Sequence, residues 1–100
     1  MNDITPSELK SRLKNNEKPV IIDVREEWEH QEESIPGAQN IPLGTLADKM
    51  DDLEEHKEQE IIVHCRSGAR SAAAKTFLMQ HGFLNVRNLQ GGIMGYKQEQ

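Results

Sequence analysis

"EIIVHCRSGARSAAAKTFLMQHG", residues 60–82, decides how the rest of the chain is read. It opens on Ile61-Ile62-Val63, a short β-branched run of the kind that forms a buried strand. It closes on a helical stretch in which Ala74, Phe77 and Leu78 share one face and Gly82 serves as the C-cap. Between the two lies Cys65, the one cysteine of the chain. Arg66, Gly68 and Arg70 surround it and no acid does, although the formal net charge of the whole is -5.

Working outward, "PVIIDV" (19–24) is a second β-branched run and a second buried strand. Before it, "TPSE" (5–8) reads as a capping box with Pro6 at the first helical position, and Leu9 and Leu13 follow on one face. A short strand around Asp3-Ile4 is allowed. "REEWEHQEE" (25–33) is a charged short helix or loop, with Trp28 expected as a half-buried cover over the sheet. His30 and His56 are expected in acidic, solvated stretches. Pro36-Gly37 marks a turn, with a brief strand near Gln39 to Ile41. In "LADKMDDLEEH" (46–56), Leu46, Met50 and Leu53 fall at i, i+4 and i+7, which predicts one helix with an apolar stripe. "NVRNL" (85–89) is a short strand, and "GGIMGYK" (91–97) is a turn followed by a last helical piece.

Strands apolar on both faces, separated by helices, predict a parallel sheet covered on each side. The expected fold class is α/β: a small parallel β-sheet of about five strands flanked by helices on both faces, in a single domain over residues 1–100. One hundred residues bury one modest core. With only four aromatic residues, that core rests on Val, Ile, Leu, Ala and Met.

Composition narrows the function classes. The acidic balance and the lack of a long basic stripe argue against nucleic acid as the partner. No apolar run approaches a membrane span, and the opening "MNDITPSELK" has neither the basic nor the apolar region of a secretory signal. One cysteine forms no internal disulfide. The expected location is the cytoplasm, the expected state a monomer. No C-x-x-C or H-x-x-x-H spacing calls for a metal, and no cofactor is expected; "GGIMG" lacks the spacing of a dinucleotide fingerprint.

In open parallel sheets ligands bind outside the carboxyl ends of the strands. Asp23-Val24-Arg25 and Cys65 both lie at such ends. A helix start presents unpaired amides that form a cradle for an anion, and a thiolate placed there has a lowered pKa. Arg66 and Arg70 add charge, and Gly68 lets the backbone curl. Cys65 is therefore the candidate nucleophile, with Arg66, Ser67, Gly68, Ala69 and Arg70 as its loop. His64, adjacent on the strand, should point away from the sulfur. Asp23 and Arg25 are expected to brace the neighbouring strand end.

"CRSGAR" (65–70) resembles the active-site loop of the rhodanese-like sulfurtransferases, six residues that start with the catalytic cysteine. "IIDVRE" (21–26) resembles the family's Asp-x-Arg strand end, "IPGAQNIPL" (35–43) its I-P-G-A-x-N-I-P segment, and "NLQGGIMGY" (88–96) its L-x-G-G-x-x-x-W segment. The four occur in the family's order and span nearly the whole chain. Glu33-Ser34 stand where the family has Gly-His, and Tyr96 where it has Trp. The resemblance implies that a Cys65 persulfide carries sulfur from a small-molecule donor, thiosulfate or a persulfide, to a thiol or protein-cysteine acceptor. Two other readings stay open. One is a non-catalytic binding or regulatory module on the same fold. The other is a cysteine phosphatase or arsenate reductase, whose loop runs Cys, five residues, Arg; here Arg70 follows after four and position 71 is Ser.

Overall fold

A computed structural model describes residues 3–99. Four strands, β1 (Val20–Asp23), β2 (Ala38–Asn40), β3 (Glu60–His64) and β4 (Asn85–Asn88), form one parallel sheet in the order β2-β1-β3-β4. Five α-helices lie between and around them: α1 (Pro6–Lys14), α2 (Glu27–Glu32), α3 (Met50–Leu53), α4 (Ala69–Gln80) and α5 (Gly92–Gln98). The fifth expected strand shrinks to one parallel bridge between Ile4 and Leu89. The reason is local: Thr5 caps α1 through its side chain, accepting the Glu8 amide at 3.1 Å, so the chain leaves the sheet straight after Ile4.

Period-two alternation divides the apolar side chains between the faces. Ile22, Ile61 and Val63 point to one face, where Leu46, Leu53, Ala74, Leu78 and Phe83 complete a buried core. Ile21 and Ile62 point to the other, against Ile4, Leu9, Ile35, Leu89 and Ile93. Both faces of the two central strands are covered, as the unbroken apolar runs require.

The helix expected over residues 46–56 is broken. A 3₁₀ segment (Leu43–Lys49) leads into the short α3, and a second 3₁₀ turn (Glu54–His56) follows. Thr45 winds the first segment tightly by giving both its amide (2.8 Å) and its hydroxyl (2.9 Å) to the Pro42 carbonyl. Leu46 and Leu53 are nonetheless buried and Met50 packs beside them, because the apolar spacing is met by either winding. α4 ends as expected, with Gly82 at φ +92° just past its last residues.

Charge pins α1 to the amino end of the sheet. Glu60, at the start of β3, accepts two hydrogen bonds from Arg12 (3.0 and 2.6 Å) and one from Arg87 (2.9 Å), which also grips Glu8 (2.9 and 3.0 Å). Arg12 holds the Glu60 carboxyl below its ordinary pKa, against the opposing effect of burial. A depressed carboxyl contributes stability above its unfolded pKa and loses it as pH falls through the folded one. Glu60→Gln should cost about 1–2 kcal/mol at neutral pH, with Tm falling ~4–8 °C per kcal/mol for a domain of this size. The gap to the native chain should close as pH drops below the ordinary glutamate range. Melting curves across pH measure both effects.

Candidate active site

β1 connects outward to β2 and β3 outward to β4, so the topological switch point lies between β1 and β3. Asp23 and His64 are paired in register there, and the chain leaves both strands on the same side. Cys65 follows β3 directly, and the Cys65–Gly68 turn runs into α4.

The turn places amides on the sulfur. Gly68 N–H donates to Cys65 Sγ at 3.1 Å and Ser71 N–H at 3.4 Å, while the Ser71 hydroxyl lies 3.3 Å away. Gly68 makes this possible with φ +120°, a conformation costly for any residue with a Cβ. The carbonyls of Cys65 and Arg66 face the other way. Cys65 O accepts from the Ile93 amide (2.9 Å) and from His64 Nδ1 (3.1 Å), and Arg66 O accepts from the Met94 amide (3.1 Å). The first turn of α5 thus fixes the orientation of the first two peptide units of the loop.

Burial pushes the Cys65 thiol pKa up. Donors to the sulfur outweigh it, with the Ser71 hydroxyl and amide first and the Gly68 and Ser67 amides behind, and the net direction is down. Cys65 itself is buried.

Asp23 is fully buried and saturated. It accepts from the Arg25 amide (3.0 Å), from the Arg25 guanidinium (2.9, 3.1 and 2.7 Å) and from His30 Nδ1 (2.9 Å). Burial alone would raise its pKa, and the Arg25 and His30 hydrogen bonds with the nearby His64 reverse the direction. Arg25 reaches on to the Glu33 carbonyl at 2.8 Å, tying the end of α2 to β1. His30 is therefore part of this strand-end network, a correction to its expected place in solvent. His64 points away from the sulfur, with Nε2 3.9 Å from Asp23 Oδ1. Desolvation lowers its pKa.

The two loop arginines differ. Arg70 forms a bidentate pair with Glu29 of α2 (2.7 and 3.0 Å), which holds that carboxyl near pKa 2. Arg66 is exposed and lines a cleft of about 290 Å³ with Trp28, Glu32, Met94 and Lys97. Trp28 is 63% exposed beside it and does not cover the sheet as expected. Ala69 is the exposed first residue of α4. The Glu33-Ser34 departure is accommodated through the Glu33 backbone and a Lys97 ion pair (2.9 Å). Tyr96 packs half-buried under Lys10, whose Nζ lies 4.7 Å from the ring centroid.

Four contributors were missed in the sequence: Ser71, Asn88, Glu29 and Gly92. Ser71 is buried against the sulfur, and Asn88 holds both Ser71 (2.6 Å) and the Gly68 carbonyl (3.1 Å). The available signal was positional, since Asn88 ends β4 in register with Val63, two residues before Cys65.

A family model, the Rhodanese-like domain, matches residues 5–99, and the chain belongs to that family. A sulfurtransferase of Allochromatium vinosum is 34% identical over 96% of this chain and 88% of its own length. YtwF of Bacillus subtilis is 37% identical over 99% of this chain and 93% of its own. A rhodanese-like domain protein of Staphylococcus aureus superposes with TM-score 0.86 at 31% identity, over 96% of this chain and 91% of that one. The fold is rhodanese-like, and relatives of matching length support a rhodanese-type sulfurtransferase. The chain also matches about a third of a longer relative, a tRNA uridine(34) hydroxylase of Cytophaga hutchinsonii, at 32% identity.

Gly92 tests how the loop is held. A Cβ there would lie 2.4 Å from the Arg66 carbonyl oxygen and 2.6 Å from that of Cys65, at φ +59°. Gly92→Ala should destabilise the fold by at least ~2 kcal/mol. It should also raise the Cys65 pKa by displacing the loop amides, read as slower iodoacetamide alkylation at neutral pH.

Proposed function

We propose that this protein moves sulfane sulfur through a persulfide on Cys65. The observation that carries the reading is a sulfur atom approached by the Gly68 and Ser71 amides at 3.1 and 3.4 Å, with the Cys65 and Arg66 carbonyls held by α5 instead. Such a cradle stabilises a thiolate and, one atom further out, a persulfide anion.

With thiosulfate as donor, the Cys65 thiolate attacks the outer sulfur. The new S–S bond forms as the bond to the sulfonate sulfur breaks, and sulfite leaves with that electron pair. Cys65 then carries Cys–S–S⁻. An acceptor thiolate attacks the terminal sulfur, restoring the Cys65 thiolate and leaving as a persulfide. Charge balances in both steps and no external oxidant enters. With a single cysteine in the chain, the acceptor is an outside thiol or a protein cysteine. The chain works as a monomer in the cytoplasm, where a reducing pool keeps Cys65 free.

Arg66 supplies the available positive charge at the mouth. Arg70 is largely neutralised by Glu29, which supports a persulfide donor over the dianion thiosulfate. The phosphatase reading finds no support in the loop: Ser71, not arginine, stands six residues after Cys65 and is buried against its sulfur.

Incubation with thiosulfate, or with glutathione persulfide, should add the mass of one sulfur atom in intact-mass spectra, and Cys65→Ser should abolish the gain. No adduct from either donor would refute the reading. Glu29→Gln frees Arg70 and should raise kcat/KM for thiosulfate roughly three- to tenfold, as expected for one unscreened charge near a dianion. The effect should shrink at high salt.

A further inference from the structure

The Ser71 hydroxyl has one proton and three acceptors within reach. Asn88 Oδ1 lies at 2.6 Å, the Gly68 carbonyl at 3.2 Å and Cys65 Sγ at 3.3 Å. All four groups sit together under the loop, with Ser71 and Cys65 buried and Asn88 partly so. The Asn88 amide cannot turn away. Its Nδ2 donates to Gly68 O at 3.1 Å, and flipping it would set two carbonyl oxygens against each other.

We infer that Ser71 and Asn88 form a two-position hydrogen bond that follows the negative charge through the sulfur-transfer cycle. With the thiolate, the Ser71 proton turns to Sγ, because a hydrogen bond to a charged acceptor outweighs one to a neutral amide oxygen. With the thiol, and again with the persulfide, whose charge has moved to the outer sulfur, the proton returns to Asn88 Oδ1 at 2.6 Å. Ser71 touches the reacting atom and is a catalytic residue. Asn88, acting through it from β4, is a positioning residue that competes for the same proton. This rests on the persulfide reading for its second half, while its first half concerns the thiolate alone.

The opposed signs make the pair testable. Removing the hydroxyl should raise the Cys65 pKa. Removing the competitor should lower it where the hydroxyl is present, and do so only there. The charged and titratable groups around the pair are Arg70 with Glu29 from α4 and α2, exposed Arg66, the Asp23, Arg25, His30 and His64 cluster at the strand ends, and, beside Asn88, Asp3 with Lys75 of α4. None is altered in these variants.

The experiment is the pH profile of Cys65 alkylation by iodoacetamide, which needs no sulfur donor, for the native chain, Ser71→Ala, Ser71→Thr, Asn88→Ala and the double variant Ser71→Ala/Asn88→Ala. Melting curves establish that each is folded. Ser71→Ala should move the midpoint up by about one pH unit, a tenfold change in the dissociation constant, and Ser71→Thr should restore it. Asn88→Ala should move the midpoint down in the native background and leave it unchanged in Ser71→Ala. The Ser71→Ala defect in persulfide formation should vanish above its raised midpoint, as no general loss of loop structure would. An unmoved midpoint in Ser71→Ala, or an Asn88→Ala shift of equal size in both backgrounds, would overturn the pair. If the alkylation cycle behaves as expected while the native chain takes up no sulfur from either donor, the sulfur-transfer reading and the pair's persulfide step fall, and the thiolate half stands.

Discussion

The Cys65 and Arg66 carbonyls accept the Ile93 and Met94 amides of α5, at 2.9 and 3.1 Å, and the orientation of the loop's first two peptide units depends on that contact. A peptide unit is planar, so fixing a carbonyl outward directs the following amide the other way. Two anchored carbonyls therefore direct the Arg66 and Ser67 amides the other way, and the Ser67 amide joins those of Gly68 and Ser71 on the sulfur. The contact is close because Gly92 has no side chain, its missing Cβ leaving room for two backbone oxygens. Gly68 supplies the other backbone conformation the loop needs. The amide cradle around Cys65 Sγ thus depends on backbone contacts between residues 28 apart in sequence, Cys65 with Ile93 and Arg66 with Met94, closed by the crossover through α4 and β4.

Strand ends supply the rigid frame. Asn40 Nδ2 bridges the carbonyls of Asp23 and Arg25, each at 3.0 Å, locking the carboxyl end of β1 to β2. The Asp23–Arg25 pair is buried, and buried pairs gain little net stability over apolar packing of the same volume. Its value here is geometric: Arg25 ties α2 through the Glu33 carbonyl, and α2 then presents Glu29 to Arg70. The position of an arginine beside Cys65 is set by a chain of contacts that begins at the end of β1.

Much of this was legible in the residue pattern. The β-branched runs at 20–24 and 61–63 are strands because both faces of a central parallel strand are apolar, and nothing polar interrupts them. Cys65 stood out because strand end, glycine and arginines coincide. Less legible were features that depend on winding or on pairing across the sheet. Residues 43–56 carry a helical apolar spacing but wind partly as 3₁₀, since three anchors one turn apart constrain the face and not the pitch. Ile4 has the residue type of a strand and only one bridge, since the cap at Thr5 ends the extended segment.

The site's charge balance shows the same division. Residue types alone assign two positive charges to "CRSGAR", and a dianionic donor follows naturally. Glu29 cancels one of them from a helix 41 residues upstream, and its pKa near 2 keeps that cancellation in force at any physiological pH. Long-range ion pairing is invisible to local spacing, because the sequence between the partners carries no trace of how it folds back. What the loop sequence does encode is the part made by adjacent backbone, the amides set on the Cys65 sulfur. The charge balance beside the sulfur is therefore set by α2 and by the mouth beside Arg66, Trp28 and Met94, while the amides on the sulfur are set by the loop and α5.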